Sequence, residues 1–219
     1  VGSFIYRTFN DDKTQRIQHI RNLVAGPLLS SKLLDMSAVN YYYSLNEMPT
    51  PPKNLSLIYR GKQLYIYKNN SAWPYFYLAK NLEILNDEKK QIDVKQGTAY
   101  IEKKDSFVLP KNAGGGIIKM KEFLFGKIVF DFQSRQQELL VIADSWHPLW
   151  RARTNHSDLS LIRTNEIFKG IILPAGKYDV TVFFDNSPYL IGIYLSVVSW
   201  ILFVVCFILA SKFKGSLPS

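Results

Sequence analysis

The chain is short of the residues that most enzymes and secreted miniproteins depend on. Cysteine occurs once in 219 residues, at Cys206, which excludes an internal disulfide framework and any multi-cysteine zinc site. Histidine occurs three times. His147 and His156 with Asp144 or Asp158 carry atoms that suit zinc, but their spacing fits no compact motif and indicates no fourth ligand. No G-x-S-x-G elbow occurs, and Asp144, Ser145 and His147 sit too close in one turn to pass a proton along a line. Gly114-Gly115-Gly116 lacks a following Lys-Ser/Thr, so it reads as a flexible connection and not a phosphate loop. These absences leave no catalytic residue, metal ligand or cofactor to nominate. Charged residues make up only 21% of the chain against 47% hydrophobic and 14% aromatic, a balance that excludes intrinsic disorder.

One absence is local. From Tyr189 to Ser211 the sequence YLIGIYLSVVSWILFVVCFILAS carries no charge over 23 residues. As a helix it would rise about 34 Å at about 1.5 Å per residue, enough to cross a hydrocarbon core of about 30 Å. Its place near the C-terminal end excludes a signal peptide, so it reads as a transmembrane helix. Lys212 and Lys214 follow at once, whereas the nearest basic residue before it is Lys177. Positive-inside counting therefore puts 212–219 in the cytoplasm and 1–188 outside it. The chain starts at Val1 and reads as a fragment or processed product.

Lys and Arg number 27 and Asp and Glu 18, so the net charge is 27 − 18 = +9. The cations are scattered rather than interleaved with aromatics, and the span removes the chain from nucleic acid. A solvated face is the first reading. The alternative is contact with anionic lipid headgroups or a pyrophosphate-linked glycolipid. Arg151 and Arg153, alternate residues on one strand face, would carry it, with Arg163 joining across a neighbouring strand.

Along the soluble part, Asp11 or Asp12 can cap a helix over 11–25 in which Ile17, Ile20, Leu23 and Val24 share a face. Gly26-Pro27 ends it, Ser30 or Ser31 opens a short turn carrying Leu33 and Leu34, and Val39 to Tyr43 is β-prone. Beyond the linker Met48 to Pro52 the period falls to 2. Leu57-Ile58-Tyr59 and Leu64 to Tyr67 predict a hairpin around Gly61. Ile128, Phe130 and Phe132 share a face, and Leu139 to Ala143 is an apolar run of the kind covered on both sides. Arg163 to Leu173 and Lys177 to Phe184, joined by Pro174-Ala175-Gly176, predict a second hairpin. In the last strand Tyr178, Val180, Val182 and Phe184 face one way. The expected fold is mainly β: an antiparallel β-sandwich-like domain with a short helical N-terminal lead-in and one C-terminal transmembrane helix. The divisions are 1–50 for the lead-in and first strand, 51–188 for the β-rich domain, 189–211 for the span and 212–219 for the tail.

The densest cluster of chemical groups is Asp144-Ser145-Trp146-His147-Pro148-Leu149-Trp150. Trp146 and Trp150 could stack on the C–H faces of sugar rings while Asp144 and His147 bond hydroxyls. Alternatively, Trp150 fills the core and Asp144 caps a turn made by Pro148.

This segment, with Leu139 to Ala143 before it and Arg151-Ala152 after it, resembles part of the YfhO-type bacterial membrane proteins. In that family a basic strand, a "PAG" turn, a terminal alternating strand and a membrane helix follow, here Leu161 to Asn165, Pro174 to Lys177, Tyr178 to Phe184 and Tyr189 to Ser211. Lys32 to Tyr42 and Leu64 to Pro74 resemble two upstream segments, so the likeness spans roughly 30–211. The chain departs from the pattern at Tyr75, where the family has Arg, and at Leu149, where it has Gly. The family is similar to polytopic glycosyltransferases that use lipid-linked sugars. The resemblance implies a non-catalytic extracytoplasmic module of a bacterial envelope protein. Its implied partners are the bilayer, the rest of the parent protein, and a lipid-linked sugar or envelope glycan. A single-span anchored β-domain with a structural or glycan-binding role is the alternative.

Overall fold

The structure is a computed structural model. It describes residues 2–6, 20–24, 32–85, 94–102, 107–110 and 113–214. The described residues form sixteen strands, arranged in three sheets, and two helices, of which the second is long and follows the last strand.

Two sheets form a sandwich. The first has five strands: β9 (Ile117–Leu124), β10 (Lys127–Ser134), β12 (Trp150–Arg153), β13 (Asp158–Leu159) and β16 (Gly176–Phe184), in the order β13-β12-β16-β10-β9. The second has six: β6 (Phe76–Leu78), β7 (Asn81–Leu85), β8 (Thr98–Glu102), β11 (Glu138–Ser145), β14 (Leu161–Thr164) and β15 (Phe168–Leu173), in the order β6-β11-β15-β14-β8-β7. Every pairing is antiparallel except β7 with β8. The predicted periodicities account for the core between them. Ile128, Phe130 and Phe132 of β10 and Val180 and Val182 of β16 are buried in one cluster with Leu140, Ile142, Ile171 and Leu173 of the facing sheet. Alternate residues of β11 point the other way: Leu139 and Val141 pack with Ala79, Ala99, Ile101 and Ile162 behind the second sheet. Apolar area thus leaves water on both faces of β11, each large side chain contributing about 1.5–3 kcal/mol. The doubly covered run was legible from composition alone.

The third sheet runs β2 (Ile20–Val24), β1 (Gly2–Tyr6), β3 (Tyr41–Ser44), β5 (Tyr65–Asn69), β4 (Leu55–Arg60). The hairpin expected around Gly61 is β4–β5. Because β3 pairs with β5, this sheet crosses the boundary drawn at 50/51. Of the helix expected over 11–25, residues 11–19 and 25 lie outside the described residues, and Ile20–Val24 is a strand paired with β1. The helical part described near the N-terminus is the short α1 (Lys32–Met36). Asn69 ties β5 to it, donating to Asp35 Oδ1 (2.7 Å) and to the Val39 carbonyl (3.0 Å).

Two expectations are corrected. Pro174-Ala175-Gly176 does not close a hairpin, since β15 pairs with β11 and β14 whereas β16 pairs with β10 and β12. The turn carries the chain from one sheet to the other. The hairpin partner of β15 is β14, through Asn165 and Glu166 at φ 49° and 66°. Both edges of β15 are occupied, by β11 and β14, so no edge remains for β16. The Gly114–Gly116 connection is also not loose. The Gly114 and Gly116 N–H groups donate to the buried Glu138 carboxylate at 2.5 and 3.0 Å, and Ser134 Oγ lies 3.0 Å from it. A glycine-rich turn that could cradle an anion holds the protein's own.

After β16 the chain enters α2 (Ser187–Lys214). Every residue from Ser187 to Ile208 is exposed, and this stretch is long and apolar enough to cross a membrane. Ser196 and Ser199 donate their hydroxyls to the carbonyls of Gly192 and Leu195, both at 2.8 Å, which satisfies two polar groups without water.

Candidate functional site

The site is built where β11 ends, β12 begins and β16 runs into α2. Alternation along β15 places Lys169 on the same face as Ile171 and Leu173, so its side chain enters the space between the sheets. It is wholly buried. An ammonium there requires an opposite charge, and Asp144 Oδ2 supplies it at 2.8 Å. Asp144 reaches the lysine because the β11–β15 register shifts between Ile142 and Ser145. The Lys169 Nζ also lies 3.5 Å from the centroid of the Trp150 ring, a cation–π contact between β15 of one sheet and β12 of the other. Phe184 meets the Trp150 ring edge-on at 5.5 Å. Trp150 is therefore held by Lys169 over its ring and by Phe184 in a T-shaped contact, and it is partly buried against the core.

The 145–149 turn is shaped by its own groups. Asp144 Oδ1 accepts the Ser145 N–H at 2.9 Å, and His147 Nδ1 accepts the Leu149 N–H at 3.2 Å. Trp146 is held by its backbone N–H on the Ile167 carbonyl (2.7 Å), while its indole N–H is buried without an acceptor among the described residues. Trp146, His147, Pro148, Trp150 and Arg151 line one cleft of about 230 Å³, closed by Ala152, Asp158, Leu159 and Leu161. Its volume is below the ~300–1,000 Å³ of pockets for drug-sized ligands, which leaves room for one ring or a small headgroup.

Four of the residues singled out from sequence thus share this cleft: Trp146, His147, Trp150 and Arg151. Asp144 does not line it and instead neutralises Lys169 behind it. Arg151 and Arg153 are both exposed and flank the buried Ala152, so they do share a strand face. Arg151 donates to the Pro148 carbonyl at 2.6 Å, and Arg153 lies over the Phe183 ring at 4.8 Å. Arg163 belongs to the other sheet, not to a strand paired with β12. It pairs with Glu102 and lies 5.8 Å from the Trp146 ring. His147 and Asp158 share the cleft, but among the described residues no group of three or more His, Cys, Asp or Glu is placed to hold a metal ion.

Lys169 was missed in the sequence, although Phe168-Lys169-Gly170-Ile171-Ile172-Leu173 contains the signal. A lysine two and four residues from apolar positions in a doubly covered strand shares their face. Phe184 and Tyr189 were also missed as parts of this region. Their rings stack at 6.4 Å, and Phe184 touches His147 at 5.3 Å, so the cleft adjoins the first turn of α2.

The fold and site define a β-sandwich module whose aromatic end abuts an apolar terminal helix. No family model, no curated protein and no solved structure matches the chain.

Proposed function

We propose that the chain is a membrane-anchored extracytoplasmic β-sandwich module that holds a sugar beside the bilayer and supplies no catalytic group itself. The observation that carries this reading is the position of the cleft. Two tryptophans, a histidine and an arginine line it, and the ring stack Phe184–Tyr189 joins it to the start of the helix read as a span. A sugar on a lipid carrier has its ring just outside the headgroups, where this cleft would stand. Trp150 lines the cleft, where its ring would pack on an apolar pyranose face. The Trp146 side chain lines the same cleft and adds a second aromatic ring for a sugar to pack on, and Arg151 is exposed for a phosphate. The resemblance to YfhO-type proteins supports a bacterial envelope setting in which other membrane-embedded parts of a larger protein transfer the sugar. Lys212 and Lys214 after the span support an outside location for the sandwich.

The test is titration of the full chain in nanodiscs with polyprenyl-pyrophosphate-linked and free oligosaccharides, read by tryptophan fluorescence. Saturable binding is expected, with at least about tenfold weaker affinity in Trp146→Phe, which cuts the indole back to a single smaller ring. Lipid-linked sugar should bind more tightly than free sugar. No saturable response, or one unchanged in Trp146→Phe and His147→Ala, would overturn the reading.

A further inference from the structure

We infer that the β9–β10 hairpin tip, Leu124-Phe125, is a second membrane contact, dipping into the same bilayer that α2 crosses. The inference rests on reading α2 as a span, but on different residues. Leu124 is 52% exposed and Phe125 completely so. A lone exposed apolar residue is ordinary. Phe125 differs in its place and in its chemistry.

Its place follows from the strand register. Lys127 lies opposite Phe183 in the β10–β16 pair, and the Phe184 N–H donates to the Gly126 carbonyl at 2.8 Å. The turn at 125–126 is therefore level with the last residue of β16, and α2 begins three residues later, about 10 Å of chain at about 3.3 Å per residue. β9 runs toward α2 and β10 runs away from it, so the tip is the most helix-ward part of this hairpin. The Asp185 N–H on the Leu149 carbonyl, at 2.8 Å, holds the Trp146–Trp150 turn at the same level. Phe184 thus adjoins the tip, and Trp150 and Tyr189, the residue types enriched at a bilayer interface, contact Phe184.

Its chemistry is out of keeping with a turn in water. Leu124 lies opposite Lys127, leaving a two-residue loop, and Gly126 at φ 73° supplies the backbone freedom that loop needs. The residue before it is free to be polar, and Asn or Asp is the usual choice in tight hairpins. Phe125 contributes nothing to the fold, since no part of it is buried. An apolar tip beside an apolar helix is explained if both enter hydrocarbon. Anchored at two points, the sandwich would be held against swivelling about α2, which keeps the cleft facing the headgroups.

The experiment uses the full chain in phosphatidylcholine vesicles with nitroxide labels, comparing collisions with lipid-soluble oxygen and a water-soluble nickel chelate. Phe125→Cys and Ala175→Cys are made in a Cys206→Ser background, and the native Cys206 serves as the reporter of the span. Ala175 is exposed at the opposite end of β16, roughly 30 Å from the tip at about 3.3 Å per residue. Oxygen should dominate at 125 and 206, and nickel at 175. Nickel dominance at 125 with oxygen dominance at 206 would overturn the tip insertion while leaving the span intact. Nickel dominance at 206 would overturn the span, and the tip contact with it. Because Phe125 is outside the core, equal urea midpoints of the labelled variants exclude unfolding as the cause.

Discussion

The Lys169–Asp144 pair, on neighbouring strands of one sheet, allows the clearest test of how a charge is kept between the sheets at the helix end. Replacing Asp144 by Asn keeps the shape and removes the charge facing a wholly buried ammonium. At 2.8 Å and an effective dielectric of about 20, the gross attraction is about 6 kcal/mol. Desolvation offsets part of that, and breaking one partner of a buried pair costs about 3–5 kcal/mol in general. Asp144 is 32% exposed, so water reaches the pair and the low end, about 3 kcal/mol, is expected. Lys169→Met should behave differently. It fills most of the same volume, leaves a carboxylate that can be hydrated, and exchanges a cation–π contact for a sulfur–aromatic one. Its cost is expected at about 1 kcal/mol. Asp144→Asn combined with Lys169→Met should then be about as stable as Lys169→Met alone, a coupling of about 3 kcal/mol. Urea unfolding in nonionic micelles, followed by tryptophan fluorescence, measures all four corners of the cycle. If Asp144→Asn costs less than Lys169→Met, or if the two effects simply add, the buried charge is not what Asp144 is there to neutralise.

Two further outcomes follow from groups elsewhere. Glu138→Ala withdraws the acceptor shared by Gly114, Gly116 and Ser134. It should cost about 3 kcal/mol in the same unfolding assay and accelerate hydrogen exchange at the two glycine amides. Burial pushes the Tyr77 phenol up to about 12 from 10.0; its hydroxyl donates to the Thr98 carbonyl and accepts from Asn165. The unfolded chain therefore releases this proton first. The stability it contributes is full below pH 10 and lost as pH rises from about 10 to about 12, and Tyr77→Phe should flatten that decline.

The Tyr77 and Glu138 networks, like the lysine pair, join residues far apart in the chain, and this separates what was legible in the sequence from what was not. Alternation at Ile128, Phe130, Phe132, Val180 and Val182 identified the core faces, because a strand's period of 2 is a local property that burial imposes directly. The apolar run Leu139 to Ala143 revealed a strand covered on both sides, and the uncharged stretch from Tyr189 revealed the apolar helix. The cluster from Asp144 to Trp150 was visible as a group because one turn contains it, although Asp144 does not line the cleft.

Strand partnership was not legible. Pro174-Ala175-Gly176 has the composition of a hairpin turn, and nothing local distinguishes a return within a sheet from a crossing between sheets. The pairing of β15 with β14 and β11 settled it, through contacts that the turn does not make. The same holds for charge: the sequence offered Asp144 to a ligand and Arg163 to a headgroup. Packing gave each a partner from another strand, Lys169 and Glu102. The residues themselves fixed which surfaces leave water and which segment is apolar enough for a membrane. Only the tertiary structure decided which strands face each other, because the free energy of a buried charge or carbonyl depends on a partner whose sequence position no local pattern records.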